Sequence, residues 1–91
     1  TAEEVVADFD AKLLALFDEK AAEKRYDNRI TCALRAGYSG PFQADGVAFA
    51  QWMDACNAHC YAVLDDVNAG LRPIPTWDVL RAELPVLVWP V

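Results

Sequence analysis

The sequence predicts an all-α domain with the architecture of a small helical bundle. In two long segments, apolar residues recur at steps of three and four, which is the spacing of one face of an α-helix. Residues that typically begin and end helices flank these segments. A polar stretch at residues 23–28 separates the first long segment from a shorter one, and glycine and proline mark the other breaks. A chain of 91 residues is long enough for one hydrophobic core, so residues 1–91 are expected to form a single domain.

The first long helix is predicted over residues 2–25. Thr1 and Glu4 have the spacing of a capping box, in which each side chain accepts from an early backbone N–H, so we expect the helix to begin at once. Seven acidic residues lie outside its apolar stripe, which is typical of an acidic amphipathic helix. The spacing of the apolar residues also allows a short self-associating helix. The stripe consists of Val6, Phe9, Leu13, Leu16 and Phe17.

A short second helix is predicted over residues 28–36. Asp27 or Asn28 can cap its start, because a short polar side chain can accept from the first unpaired N–H groups. Gly37 is expected to end it. In the turn that follows, Phe42 is large and apolar, and we expect it to lie on the core.

The strongest helical pattern predicts a third helix over residues 46–69. Asp45 is suited to cap its start, and Gly70 to end it in the left-handed conformation, with Pro73 preventing continuation. The apolar face of this helix consists of Phe49, Trp52, Met53, Cys56, Cys60, Val63, Leu64 and Val67.

A fourth helix, over residues 77–84, is predicted from the cap residue Thr76 and the terminating Pro85. The chain then ends in an almost wholly apolar segment, residues 86–91. We expect this segment to fold back over the core, because an exposed strip of this kind is costly in water. The alternative is that it contacts a partner, and Trp89 is the aromatic residue best placed to do so.

The two long helices are expected to pack antiparallel, with the two short helices covering the groove between them. The helical faces define the residues that should form the core. The predicted core is Leu13, Leu16, Phe17, Leu34, Phe49, Trp52, Met53, Cys56, Cys60, Leu64, Val67 and Leu80.

The charge and composition make several functions improbable. The net charge is −6 and no run of lysine or arginine is present, so nucleic acid and anionic membranes are not expected partners. No apolar run approaches the roughly 20 residues of a membrane-spanning helix, and no signal peptide is recognised. Three cysteines without a disulfide-framework spacing favour reduced thiols in a cytosol.

Three residues of the third helix and one of the second suggest an alternative function in metal binding. Cys56, His59 and Cys60 emerge from one side of a helix, and Cys32 could supply a fourth ligand to zinc. Their spacing is not that of common zinc motifs, and cysteine is often simply buried. We therefore predict no metal and no cofactor, and retain this four-residue set as the alternative.

No catalytic motif is recognised in the chain. The pair Cys56 and His59 lacks a third residue that would orient the histidine, and no glycine-rich element is near it in sequence. The sequence therefore predicts a protein that is not an enzyme.

From about residue 24 onward, the chain contains a characteristic set of core and turn residues. These are Tyr26-Asp27, residues 41–49, 52–56, 60–64 and 66–76, Leu84-Pro85 and Trp89-Pro90. In these residues the sequence resembles a small domain of bacteriophage and prophage tail-associated proteins. Residues 26–91 then form the family-like core and tail, and residues 1–25 an additional acidic helix.

The resemblance implies a non-enzymatic tail protein that acts as a structural or assembly component through protein–protein contacts. A transient assembly chaperone is the alternative within phage biology. The expected partners are other tail proteins or a second copy of the chain, and the expected location is the host cytoplasm during assembly, with the virion tail as the other location. The predicted partner-binding residues are Val6, Phe9, Leu13, Val86, Val88 and Trp89.

Overall fold

The computed structural model describes residues 2–91 and confirms the all-α prediction. The α-helices are α1 (Ala2–Ala22), α2 (Arg29–Leu34), α3 (Gln43–Asn68) and α4 (Trp77–Glu83), with a 3₁₀ helix at Arg35–Gly37 and no strand within the described range. The molecule measures 46 × 20 × 19 Å. It is elongated because the 26 residues of α3 alone span about 39 Å.

The long helices α1 and α3 lie antiparallel, as predicted. The ring of Phe17, in the second half of α1, meets Trp52 of α3 edge-on at a centroid distance of 5.2 Å. At the other end, Val6 and Val67 line a common groove. The start of α1 therefore lies beside the end of α3.

The core forms mainly where both long helices present their apolar faces, and its largest fully buried side chains are Phe49, Cys32 and Cys56. The prediction for Leu34 is wrong, since this side chain is 63% exposed. Leu34 lies two residues after Cys32, hence about 200° around the helix, and α2 can bury only one of the two faces. The buried residues are Leu13, Leu16, Phe17, Ala21, Cys32, Phe49, Trp52, Cys56, Val63, Leu80 and Leu84. Met53, Cys60, Leu64 and Val67 are half-buried around this core.

The first helix ends three residues earlier than predicted, and its end is closed by a Schellman motif. The N–H of Tyr26 donates to the carbonyl of Ala21, and the N–H of Arg25 donates to that of Ala22. This geometry places Arg25 in the left-handed region, with φ 66°. The capping box predicted for Thr1 falls outside the described residues.

The third helix begins at Gln43, three residues before the predicted start. The cap residue is Phe42, which makes no side-chain capping hydrogen bond. Asp45 therefore lies in the first turn, where its carboxylate accepts from the hydroxyl of Tyr26 at 2.9 Å. Phe42 was predicted to lie on the core, but it is 51% exposed, and the guanidinium of Arg35 lies 5.6 Å from its ring centre.

The second helix ends at Leu34, two residues before the predicted end, and the 3₁₀ helix Arg35–Gly37 follows it. Three other helix ends follow the predicted local signals. The side chain of Asn28 accepts from the N–H groups of Ile30 and Thr31, and Thr76 accepts from the N–H of Val79. Gly70 has φ 75° and ends α3 in a second Schellman motif.

One glycine sets how closely two elements approach. Gly46 is buried in α3 against the 3₁₀ helix, and a Cβ at this position would lie 2.4 Å from the backbone nitrogen of Ala36. The two backbones are therefore in direct contact, which a larger residue would prevent.

Candidate functional site

An apolar groove lies between the first half of α1 and the second half of α3. We call it the α1/α3 groove, and its volume is about 210 Å³. Its floor contains the buried side chains of Leu13, Val63 and Leu80, while Tyr61 and Ile74 are 68% and 54% exposed. The lining residues are Val5, Val6, Phe9, Asp10, Leu13, Asn57, Cys60, Tyr61, Val63, Leu64, Val67, Asn68, Ile74, Pro75 and Leu80.

The groove exists because the long helices extend beyond the short helix α2. The first residue of α2, Arg29, binds Asp18 in the second half of α1, with Nη1 to Oδ2 at 2.9 Å. In that half, Leu16 and Phe17 are buried, whereas Val6 in the first half is only half-buried. The apolar stripe of α1 is thus covered over one half and partly open over the other.

The C-terminal segment, residues 86–91, lies back on the core at the other end of α3. Leu87 and Trp89 are half-buried, whereas Val86 and Val88 are 85% and 76% exposed. Half-buried and exposed side chains thus alternate along the segment, which is typical of an extended chain with one face on the core.

Trp89 is the residue that fixes this segment. Its ring stacks on Phe49 at a centroid distance of 5.9 Å and an interplanar angle of 10°. Nζ of Lys24 lies 5.8 Å from the same ring, and Nε1 approaches Oε1 of Glu23 at 3.5 Å. The tail therefore joins the end of α1 to the start of α3, as expected for a segment that folds back.

The structure separates the predicted partner-binding residues into two surfaces. Val6 and Phe9 line the α1/α3 groove, and Leu13 is 5% exposed and forms part of its floor. Val86 and Val88 form the outward face of the tail, which is near Phe49 rather than near the groove.

The cysteines and the histidine do not converge. Cys32 and Cys56 are fully buried, and burial raises the pKa of each thiol to about 11. Cys60 lines the groove, and its thiol pKa is raised by burial and further by the charge of Asp10. Among residues 2–91, no group of three or more His, Cys, Asp or Glu side chains is placed to hold a metal ion.

His59 instead belongs to an ionic cluster that sequence reasoning missed. Its Nε2 lies 2.9 Å from Oε1 of Glu83, whose carboxylate also accepts two hydrogen bonds from Arg72 at 3.0 and 2.9 Å. The bonds from Arg72, and then that from His59, lower the pKa of Glu83 to about 2. The cluster joins α3, the loop after it and α4, and no local pattern connects these positions.

The fold and these two surfaces define a small all-α domain with an apolar groove and an apolar tail. A comparison of the chain with protein-family models, curated proteins and solved structures finds no match. Over the part of the chain that the structure describes, no helix has the length and apolar character needed to cross a membrane.

Proposed function

We propose that this protein is a non-enzymatic component of a bacteriophage or prophage tail, with a structural or assembly function exerted through protein–protein contacts. The observation that carries the binding function is the outward apolar face of the tail, where Val86 and Val88 are 85% and 76% exposed. Adjacent exposed apolar side chains are typical of protein-binding surfaces. The attribution to a phage tail rests on the sequence resemblance of residues 24–91.

The state of the thiols supports a non-enzymatic function. A nucleophilic cysteine needs a lowered pKa and access to solvent, because the thiolate is the reactive form. Cys32 and Cys56 have neither, since both are fully buried and their pKa values are raised to about 11.

The separation of the two surfaces suits a component that joins two neighbours. On α3, the residues that line the groove lie between positions 57 and 68. The tail instead contacts Phe49, near the start of the same helix. A partner in the groove would therefore leave the tail free for a second contact.

Capture of purified tail proteins by the immobilised chain tests this proposal. We expect the full chain to retain a tail protein, and the double variant Val86→Ser, Val88→Ser to lose it. The matched control is Ile30→Ser, which removes an apolar side chain that is 65% exposed on α2 and should leave capture unchanged.

Light scattering on the full chain and on a chain that ends at Pro85 shows whether the tail mediates self-association. A dimer or trimer that is lost on truncation would identify a second copy as the tail's partner. Detection of the chain in purified virions would support a structural component, and binding without incorporation would indicate an assembly chaperone. A chain that binds no tail protein would overturn the proposal.

A further inference from the structure

The open edges of the α1/α3 groove are acidic. On α1, Asp10 lines the groove, and Glu3 lies two helical turns before it on the same face. On α3, Asp65 lies four residues after Tyr61, so it shares the face of this exposed ring.

These three carboxylates, of Glu3, Asp10 and Asp65, have no basic neighbour on their own helix faces. The sequence of α3 contains no lysine or arginine. On α1, Lys12 lies on a different face and pairs with Asp8 at 2.9 Å. Over residues 2–91, the ion pairs involve none of the three groove-edge carboxylates. Their charge is therefore available to a bound molecule.

The dimensions of the groove fit the side chains of a helix. The lining positions on α1 run from Val5 to Leu13, a distance of about 12 Å, and those on α3 from Asn57 to Asn68, about 16 Å. Anchor side chains at positions i, i+4 and i+7 of a helix span about 10 Å. The volume of 210 Å³ exceeds the roughly 150 Å³ that holds a benzene-sized group, so it can admit one or two anchor side chains.

We propose that the α1/α3 groove binds an amphipathic helix of a partner protein, with apolar anchors in the groove and lysine or arginine beside them. The apolar floor would take the anchors, and the acidic edges would pair with the flanking cations. This inference names the class of partner for the proposed function and rests on it.

A second copy of the chain is a poor occupant on electrostatic grounds. Each copy carries a net charge of −6, and its two long helices present acidic outer faces. Placing either helix of one copy in the groove of another would bring like charges together, which opposes association.

The test uses the full chain and a designed helical peptide with leucines at i, i+4 and i+7 and lysines on both flanks. A matched peptide carries glutamate in place of every lysine. We expect the lysine peptide to bind at least about tenfold more tightly than the glutamate peptide in calorimetric titration. The reason is that several charge pairs, each worth a few tenths of a kcal/mol, are attractive for the lysine peptide and repulsive for the glutamate peptide. Amide NMR shifts should move at Val6, Phe9 and Leu64.

Charge reversal at the groove supplies the matched variants. Asp10→Lys should weaken binding of the lysine peptide about five- to tenfold, whereas Asp27→Lys, the same change in the exposed loop after α1, should alter it less than about twofold. Both side chains are exposed, so both variants should fold, and their circular dichroism spectra would verify this.

Several results would overturn the inference. Equal binding of the two peptides, equal effects of the two variants, shifts that map away from the groove, or a dimer that covers the groove would each do so. Because the peptide assay contains no tail protein, its failure is distinguishable from failure of tail-protein capture, which would overturn the proposed function instead.

Discussion

The indole Nε1 of Trp52 donates a hydrogen bond to the backbone carbonyl of Pro85, with a nitrogen-to-oxygen distance of 2.7 Å. Trp52 is a buried core residue in the middle of α3, and Pro85 is the point at which the chain leaves α4 for the tail. This single bond therefore fixes where the tail begins relative to the core, between positions 33 residues apart.

Replacing the indole tests this bond. Trp52→Phe keeps an aromatic ring beside Phe17 but removes the donor, so we expect a loss of about 1 kcal/mol in the free energy of unfolding. Urea denaturation followed by circular dichroism measures it. Trp77→Phe is the control, because the indole of Trp77 contacts Phe9 without a hydrogen bond to the described residues. Equal losses in both variants would contradict the assignment.

The stacked ring of Trp89 should contribute to stability. Trp89→Ala removes the contact with Phe49, and we expect a loss of about 1–2 kcal/mol in the free energy of unfolding. Val88→Ala removes an exposed neighbour and should change it by less than about 0.5 kcal/mol. Urea denaturation compares the two. A tail that is detached in solution would make the two variants alike.

Gly46 should not tolerate a methyl group. A Cβ would lie 2.4 Å from the nitrogen of Ala36 and 2.8 Å from the carbonyl carbon of Arg35, and backbone atoms cannot move aside as a side chain can. We expect Gly46→Ala to lower the free energy of unfolding by about 2–4 kcal/mol, measured by thermal denaturation. Gly37→Ala is the control, because a Cβ there meets nothing within 4 Å. A stable Gly46→Ala variant would disprove the close contact of α3 with the 3₁₀ helix.

The end of α1 contains strain that one substitution can relieve. Arg25 has φ 66°, a conformation that costs an ordinary residue roughly 1–2 kcal/mol but costs glycine little. Glycine has more conformational freedom than arginine in the unfolded chain, which offsets part of this relief. We therefore expect Arg25→Gly to raise the free energy of unfolding by up to about 1 kcal/mol. Arg25→Ala keeps the strain and should give no gain. Urea denaturation midpoints distinguish these outcomes, and an alanine variant as stable as the glycine variant would refute the strain.

Stability should fall in acid through Glu83. The bonds from Arg72 and His59 lower the pKa of its carboxyl from 4.5 to about 2, so the folded state favours the ionised form. The resulting stabilisation is therefore complete above about pH 5 and is lost as the pH falls towards 2. The difference in melting temperature between the wild-type protein and Glu83→Gln should accordingly shrink as the pH falls from about 5 towards 2.

Glu19→Gln provides the control for this pH dependence. Glu19 is exposed and lies 3.7 Å from Arg81, a distance at which an ion pair contributes little. Its variant should follow the wild-type acid profile. If the difference in melting temperature between wild type and Glu83→Gln does not vary with pH, the carboxylate of Glu83 has no ionic role in stability.

The candidate site was predicted in part. Val6 and Phe9 were identified from the apolar stripe of α1, and both line the groove. The opposite wall, which includes Leu64, was expected to be core, because the sequence pattern does not show that α2 leaves this end of the bundle uncovered. The ion pair of Arg72 with Glu83 was missed for the related reason that it joins a loop to a helix across the fold.

Local sequence patterns were enough to predict the four α-helices, their order and several of their ends. Hydrophobic periodicity and helix capping involve residues that are at most a few positions apart. Asn28 and Thr76 could therefore be predicted as helix caps, and Gly70 as the end of α3, without tertiary information.

Which helix faces meet depends on the packing of elements that are distant in sequence. The exposure of Leu34, the backbone contact at Gly46 and the stacking of Trp89 on Phe49 each depend on an element distant in sequence. Burial is fixed by how the elements pack, since a helix presents an apolar face whether or not another element covers it. For this reason the groove and the outward face of the tail, on which the proposed function depends, became visible only in the folded chain.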